Sequence, residues 1–296
     1  MARKNVGKSG VTPCKHFLLD KLLGQEAGVY GRGIPADSLS AVWVDMTAGD
    51  GAPTRVEKPE LSCSPGIFSK HASYVLKCKK PLKVFLCEKN KKTFSDLTLI
   101  MNGRWWAHDV YPESKTCMQL IGDDSSDYFL DVPFDSSCFI YNDPNSITQW
   151  SYTEELLKSL PKYTRTLNTL GCNVAGVKRE LAKNPEMSKL WRDNIHQLLN
   201  YQRHPAVLMA VGNASQWAYL ITTPEQWIED TKKLCIKAWE YTYKISEEFR
   251  KQVGKKRPRV FSTFEKDNFN FLLDELLMTK EQFENQNTDK QTELPV

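Results

Sequence analysis

The sequence predicts an α/β protein: a doubly wound, mostly parallel seven-stranded sheet with a reversed last strand, followed by a C-terminal helical addition. Three observations carry that prediction. A short apolar strand runs into an acid and a glycine turn in AVWVDMTAGDG, residues 41 to 51. Strand-like and helix-like segments then alternate along the chain. The alternation ends in two adjacent apolar runs, Ala206 to Val211 and Gln216 to Thr222, joined by Gly212, Asn213, Ala214 and Ser215, which read as a hairpin. With 296 residues, 41% of them hydrophobic, one large elaborated domain has material for a sizeable core.

Taken in order, residues 1–40 form an N-terminal helical segment and 41–224 the sheet domain. Residues 225–283 form the helical addition and 284–296 a polar tail expected to be disordered. Ala41, Val42, Trp43 and Val44 suit a strand buried on both faces. Residues 64 to 77 look helical, Leu82 to Cys87 is the second strand, and Lys92 to Met101 is helical again. A third strand is expected at Cys117 to Ile121 and a fourth at Ser137 to Tyr141. Leucines 156, 157, 160, 167 and 170 recur on a helical period, so Ser151 to Leu170 reads as a helix capped by Ser151 and Glu154 and kinked at Pro161. The fifth strand then falls at Gly171 to Ala175, before a helix around Met187 to Tyr201. Glu225 to Arg250 reads as one long amphipathic helix, GKKRPR as a basic linker, and Asn268 to Phe283 as a last helix.

Composition excludes several classes. No apolar run approaches the ~20 residues that span a bilayer, and MARKNVGKSG lacks an apolar stretch after its charges, so a soluble, cytoplasmic protein is expected. Eight cysteines show neither a CxxC pair nor metal-ligand spacing and read as reduced, buried thiols, and no metal site is expected. The five histidines are scattered, with no HExxH, and no GxxxxGK[ST] loop is present. The net charge is only +4, but it is unevenly spread. Seven lysines lie between Lys77 and Lys92, and a second basic cluster runs from Gly254 to Arg259. Either cluster can hold the phosphates of a nucleic acid or serve as a solvated rim. Trp105 and Trp106 are placed in a loop, either stacking on bases or packing onto the sheet edge.

The chemistry-bearing positions cluster at strand ends. Glycines just past a buried strand let a ligand approach backbone without Cβ clashes, so a ligand is expected over Ala48 to Gly51. The spacing departs from GxGxxG, which argues against a dinucleotide. Glu88 ends the second strand, where a carboxylate can accept both ribose hydroxyls of a nucleoside or simply balance its lysine neighbours. Asp123, with Asp124 as an alternative, follows the third strand and can bind a base or cap a helix. Asn142, Asp143 and Pro144 follow the fourth, as a turn or as a polar acceptor site.

In that order, DMTAGDG, CEKN, GDD and NDPNS resemble the motifs of class I, Rossmann-like S-adenosylmethionine-dependent methyltransferases. Lys15 to Leu23, Asp45 to Gly51, Ser64 with Pro65, and Asp143 with Pro144 are similar in order to the three-Cys-motif partner proteins. The resemblance implies S-adenosyl-L-methionine as cofactor, held by Asp45, Thr47, Ala48, Gly49, Gly51, Glu88 and Asp123. It implies that Asn142, Asp143 and Pro144 orient an amino nitrogen, as in the [DNS]PP[YFW] motif of amino-methyltransferases. Here Asn145 and Ser146 replace the second proline and the aromatic. The expected activity is methyl transfer to a base nitrogen of nucleic acid. The alternatives are a methyltransferase-like binding module without turnover and a methyltransferase for protein or small molecules.

Overall fold

The computed structural model describes residues 10–33, 41–54, 61–123, 136–144, 154–161, 163–172, 193, 195–200, 204–212 and 217–277. Its strands are β1 (Ala41–Asp45), β2 (Leu82–Cys87), β3 (Met118–Ile121), β4 (Ser137–Asn142), β5 (Tyr163–Cys172), β6 (Ala206–Val211), β7 (Trp217–Thr222) and β8 (Arg259–Ser262). The helices are α1 (Thr12–Gly33), α2 (Ser64–Lys77), α3 (Lys91–Ile100), α4 (Glu154–Ser159), α5 (Ile228–Ile245), α6 (Glu247–Val253) and α7 (Lys266–Leu277), with a further helical stretch at 195–200.

Among the described residues the strands form one sheet in the order β3-β2-β1-β4-β5-β7-β6-β8. Strands β1 to β5 pair in parallel, and β7 runs antiparallel between β5 and β6. The reversed strand is therefore as expected, but the sheet has eight strands instead of seven. The extra one is β8, antiparallel to β6 with Ala210 opposite Arg259. It begins inside the segment read as a basic linker, where charge had masked the short run Val260, Phe261.

Strand alternation divides the core in two. Ala41 and Trp43 of β1 face a cluster built from α1, α2 and α5, whereas Val42 and Val44 face Leu157, Leu160, Ile195, Leu198 and the apolar stripe of α7. Helix α1 buries Leu18, Leu19, Leu22 and Leu23 completely, each worth ~2 kcal/mol of transfer free energy. Several of its polar residues are also buried and are paired with other elements. Asp20 accepts from Lys70 (2.7 Å) and contacts His71 (3.0 Å) on α2, and Glu26 accepts from Arg165 on β5 at 2.5 Å. Lys15 pairs with Asp143. Arg165 also donates to Thr223 and lies over the Trp227 ring, which offsets its desolvation.

The expected helix from 151 to 170 is corrected. Helix α4 ends at Ser159, before Pro161, and β5 follows where a helical period had been read. Its leucines are strand residues, and its polar residues are buried. Thr166 donates its amide to the Thr222 hydroxyl (2.8 Å), and Asn168 donates to Thr166 (2.8 Å). The expected fifth strand at 171–175 is thus displaced to 163–172, with 173–175 and Ser151 outside the described residues. The long C-terminal helix is broken at Ser246, which leaves α5 and caps α6 by accepting from the Phe249 amide. Residues 278–283 of the last expected helix, and the tail, lie outside the described residues.

Candidate functional site

Parallel strands of a doubly wound sheet leave a crevice at their carboxyl ends where neighbouring connections leave to opposite faces; here that point lies between β1 and β4. Asp45 is the last residue of β1, opposite Leu86 and Tyr141. The turn after it is sewn to both neighbours. Met46 donates its amide to the Tyr141 carbonyl and Ala48 to the Cys87 carbonyl, both at 2.9 Å. Thr47 donates its amide to Asp45 Oδ1 at 3.0 Å. Gly49 and Gly51 both take left-handed φ, +66° and +69°.

The two glycines differ in surroundings. A Cβ on Gly51 would sit 2.9 Å from Leu97 Cδ1, whereas one on Gly49 would meet nothing within 4 Å. The Gly51 carbonyl accepts from the Trp105 indole at 2.9 Å. Gly51 is thus packed against the body of the protein, and Gly49 borders open space. Gly49→Ala should therefore cost only the left-handed strain of ~1–2 kcal/mol, with no steric clash. It should weaken any ligand that lies against the turn by tenfold or more, about 1.4 kcal/mol. Chemical denaturation and ligand titration on the same preparation check both parts.

Asp45 is fully buried, and its Oδ2 has no hydrogen-bond partner among the described residues. Burial pushes its carboxyl up to about 7, tempered by the Ser64 hydroxyl and the Thr47 amide and reinforced by the charges of Asp143 and Glu88. A cationic or donor group brought against it would favour its ionised form and draw the carboxyl back down.

The other expected residues gather around it unevenly. Glu88, just past β2, is half-buried; its amide donates to Ile121 and its Oε1 accepts from the Asn90 amide at 2.7 Å. Asn142 ends β4, buried, with no partner for Nδ2 among the described residues. Asp143 donates its amide to the Thr47 hydroxyl at 2.9 Å, tying the loop after β4 to the glycine turn. Burial alone would raise the Asp143 carboxyl. The Lys15 ammonium above all, with His16, more than offsets this and holds it below the usual carboxylate range. Pro144 is buried, and Asn145 and Ser146 lie outside the described residues. Asp123 is exposed, two residues beyond β3 at the same edge of the sheet, one strand farther out than Glu88; Asp124 lies outside the described residues.

Lys15, His16, Ser64, Thr169 and Trp105 were not singled out for this site. Trp105 is buried and bonded to Gly51, so it offers no face for a base. Its neighbour Trp106 packs against the core with Lys115 over its ring. The lysine run also divides. Lys77, Lys79 and Lys80 precede β2, while Lys89, Lys91 and Lys92 follow it, at the site's edge; a strand of this length separates the groups by ~20 Å. Of the second cluster, Lys255, Lys256 and Arg257 are exposed, but Arg259 pairs with Glu275 on α7 at 2.5 and 2.6 Å.

Burial pushes the thiols of Cys14, Cys63 and Cys138 up to about 12, which makes them inert as nucleophiles at neutral pH. Among the described residues no cluster of metal-ligating side chains occurs, and no helix is long and apolar enough to cross a membrane.

No family model and no curated protein matches the chain. Several solved structures are similar to it. One is the O-methyltransferase TomG from Streptomyces achromogenes in complex with S-adenosylmethionine, with 11% identity over 69% of this chain and 79% of that one, TM-score 0.38. Another is the precorrin-6y C5,15-methyltransferase from Geobacter metallireducens, with 11% identity over 69% and 84%, TM-score 0.36. A third is a precorrin 8w decarboxylase from Methanobacterium thermoautotrophicum, with 14% identity over 64% and 84%, TM-score 0.32. At this level of similarity they assign no residue of this chain, and the fold stands on its own strand order.

Proposed function

We propose that this chain is an S-adenosylmethionine-dependent methyltransferase whose acceptor is an amino nitrogen of a nucleic acid base. The observation that carries the reading is the glycine turn at the β1/β4 crevice. It combines a buried acid whose Oδ2 lacks a hydrogen-bond partner among the described residues with open space over Gly49. Those residues fit the cofactor. The turn would lie under its methionine end, Glu88 would accept the ribose hydroxyls, and Asp123 would take the adenine amino group. The cofactor, when bound, supplies an electrophilic methyl on a sulfonium. The protein's part is then orientation of the acceptor, which asks for no nucleophilic Ser or Cys. Support for a nucleic-acid acceptor comes from Lys89, Lys91 and Lys92 beside Glu88, exposed at the same edge. Lys255, Lys256 and Arg257 precede β8, also at that edge.

Calorimetric titration of S-adenosylmethionine and S-adenosylhomocysteine is expected to show binding that Asp45→Ala and Glu88→Ala each weaken by at least tenfold, about 1.4 kcal/mol. A wild-type chain that binds neither compound would sink the enzyme reading. Transfer of a tritiated methyl group to pooled RNA and DNA, with pooled protein alongside, then tests the acceptor. Label entering only the protein pool would replace the nucleic-acid reading with the protein one.

A further inference from the structure

We propose that Lys15, reaching from α1 to the loop after β4, is a positioning residue that fixes Asp143 as the carboxylate aligned with the methyl acceptor. The inference rests on the methyltransferase reading and adds to it a residue from outside the sheet. Lys15 and Asp143 are 128 positions apart, and both side chains are largely buried, 8% and 14% exposed, so the pair is removed from solvent screening. The Asp143 backbone is bound independently through the Thr47 hydroxyl, and Thr47 is bound in turn to Asp45. The aspartate is therefore held from two sides, by the turn that would carry the cofactor and by a cation from α1. Beside it, Asn142 is buried with Nδ2 lacking a partner among the described residues, an unsatisfied donor at the same point.

The pairing matters chemically because an acceptor amine must give its hydrogen bonds to a group that stays ionised. Asp143 is buried next to another acid, Asp45, and both effects favour its protonated form. The charged and titratable groups acting on it include Lys15 and His16 from α1 and Asp45 from β1. Lys15 supplies a close cation by direct contact. Without it, burial and the neighbouring Asp45 would raise the carboxyl, and a protonated carboxyl presents a donor where the amine needs an acceptor.

The test is a carboxyl-carbon NMR titration of aspartate-labelled full chain, with the Asp143 signal assigned from Asp143→Asn. The pH profile of methyl transfer to the pooled RNA and DNA is measured in parallel. In wild type Asp143 is expected to titrate below the ordinary carboxylate range. In Lys15→Met its midpoint should rise by at least one unit. Transfer should then acquire an acid limb, with activity at pH 6 down about tenfold for each unit that the midpoint lies above that pH and recovering as pH rises. Lys15→Arg should restore both. S-adenosylhomocysteine should bind all three forms alike.

An unmoved Asp143 midpoint in Lys15→Met, or a loss of activity that is equal at every pH, would overturn the inference and leave the pair as a structural tie. If Lys15→Met does not fold, the wild-type titration decides alone, since an Asp143 titrating at or above the ordinary range overturns it. Failure of the wild type to bind S-adenosylhomocysteine is a separate outcome that removes the methyltransferase reading. If neither pool is methylated, the nucleic-acid reading falls and the carboxyl titration decides the ion-pair claim by itself.

Discussion

Asp45→Asn is expected to make the protein more stable at alkaline pH while weakening S-adenosylmethionine binding. The Asp45 carboxyl is pushed up to about 7 in the folded chain and returns to the ordinary aspartate range on unfolding. Below that ordinary range both states hold the proton, and the group contributes nothing to stability. As pH rises toward 7 the unfolded chain ionises first, so the folded state loses ground; above 7 the penalty is constant. At ~1.4 kcal/mol per pKa unit the full penalty is a few kcal/mol. Asparagine keeps an oxygen for the Thr47 amide and carries no charge at any pH. The stability difference between variant and wild type should therefore grow in the variant's favour by a few kcal/mol between pH 4 and pH 8. In a domain of this size that shifts the relative Tm by ~5–10 °C. Thermal scans of both proteins across that range give the answer, and a difference independent of pH would show that Asp45 is ionised in the fold at ordinary acidity.

Trp105→Ala should be among the most damaging single changes outside the strands, costing ~3–5 kcal/mol. The indole is buried against the first turn of α2, where a Cβ on Gly66 would come within 2.9 Å of its ring, and its N–H satisfies the Gly51 carbonyl. Trp105→Phe separates these contributions. It retains most of the apolar contact but leaves a buried carbonyl without its donor, a loss of ~1–3 kcal/mol. Because that carbonyl belongs to the glycine turn, Trp105→Phe should also weaken S-adenosylhomocysteine binding more than its modest effect on stability suggests. Urea unfolding and calorimetry on the two variants distinguish packing from hydrogen bonding. Equal binding by wild type and Trp105→Phe would show that the turn keeps its shape without this bond.

The parts of this molecule legible in its sequence are those where hydropathy and backbone chemistry point the same way. AVWVD reads as a doubly buried strand because every residue before the acid is apolar, and the two left-handed glycines follow from the turn that must end it. The hairpin of β6 and β7 is legible for the same reason, and its position beside β5 gave the reversed strand its place. Strand β5 was not legible, because threonine, arginine and asparagine sit at its buried positions. Their solvation is replaced by Thr222, Thr223 and Glu26, residues distant in sequence. The candidate site divides likewise. Asp45, Gly49 and Gly51 announce themselves by spacing, whereas Lys15 looks like any charge on an amphipathic helix until the loop after β4 is brought against it. A run of lysines suggests one patch, but a strand through its middle sends the charges to opposite edges.

The buried polar residues of α1 also bear on how the chain reaches its fold. Lys15 and Glu26 find their partners at Asp143 and Arg165, 128 and 139 positions later. Until β4 and β5 exist, docking α1 on the sheet would bury two unpaired charges, a cost of several kcal/mol each. Seating α1 with these two charges paired therefore requires β4 and β5 to be in place. Contacts of such sequence separation slow folding at a given stability, so the first described helix ties the rate of folding to strands more than a hundred positions away.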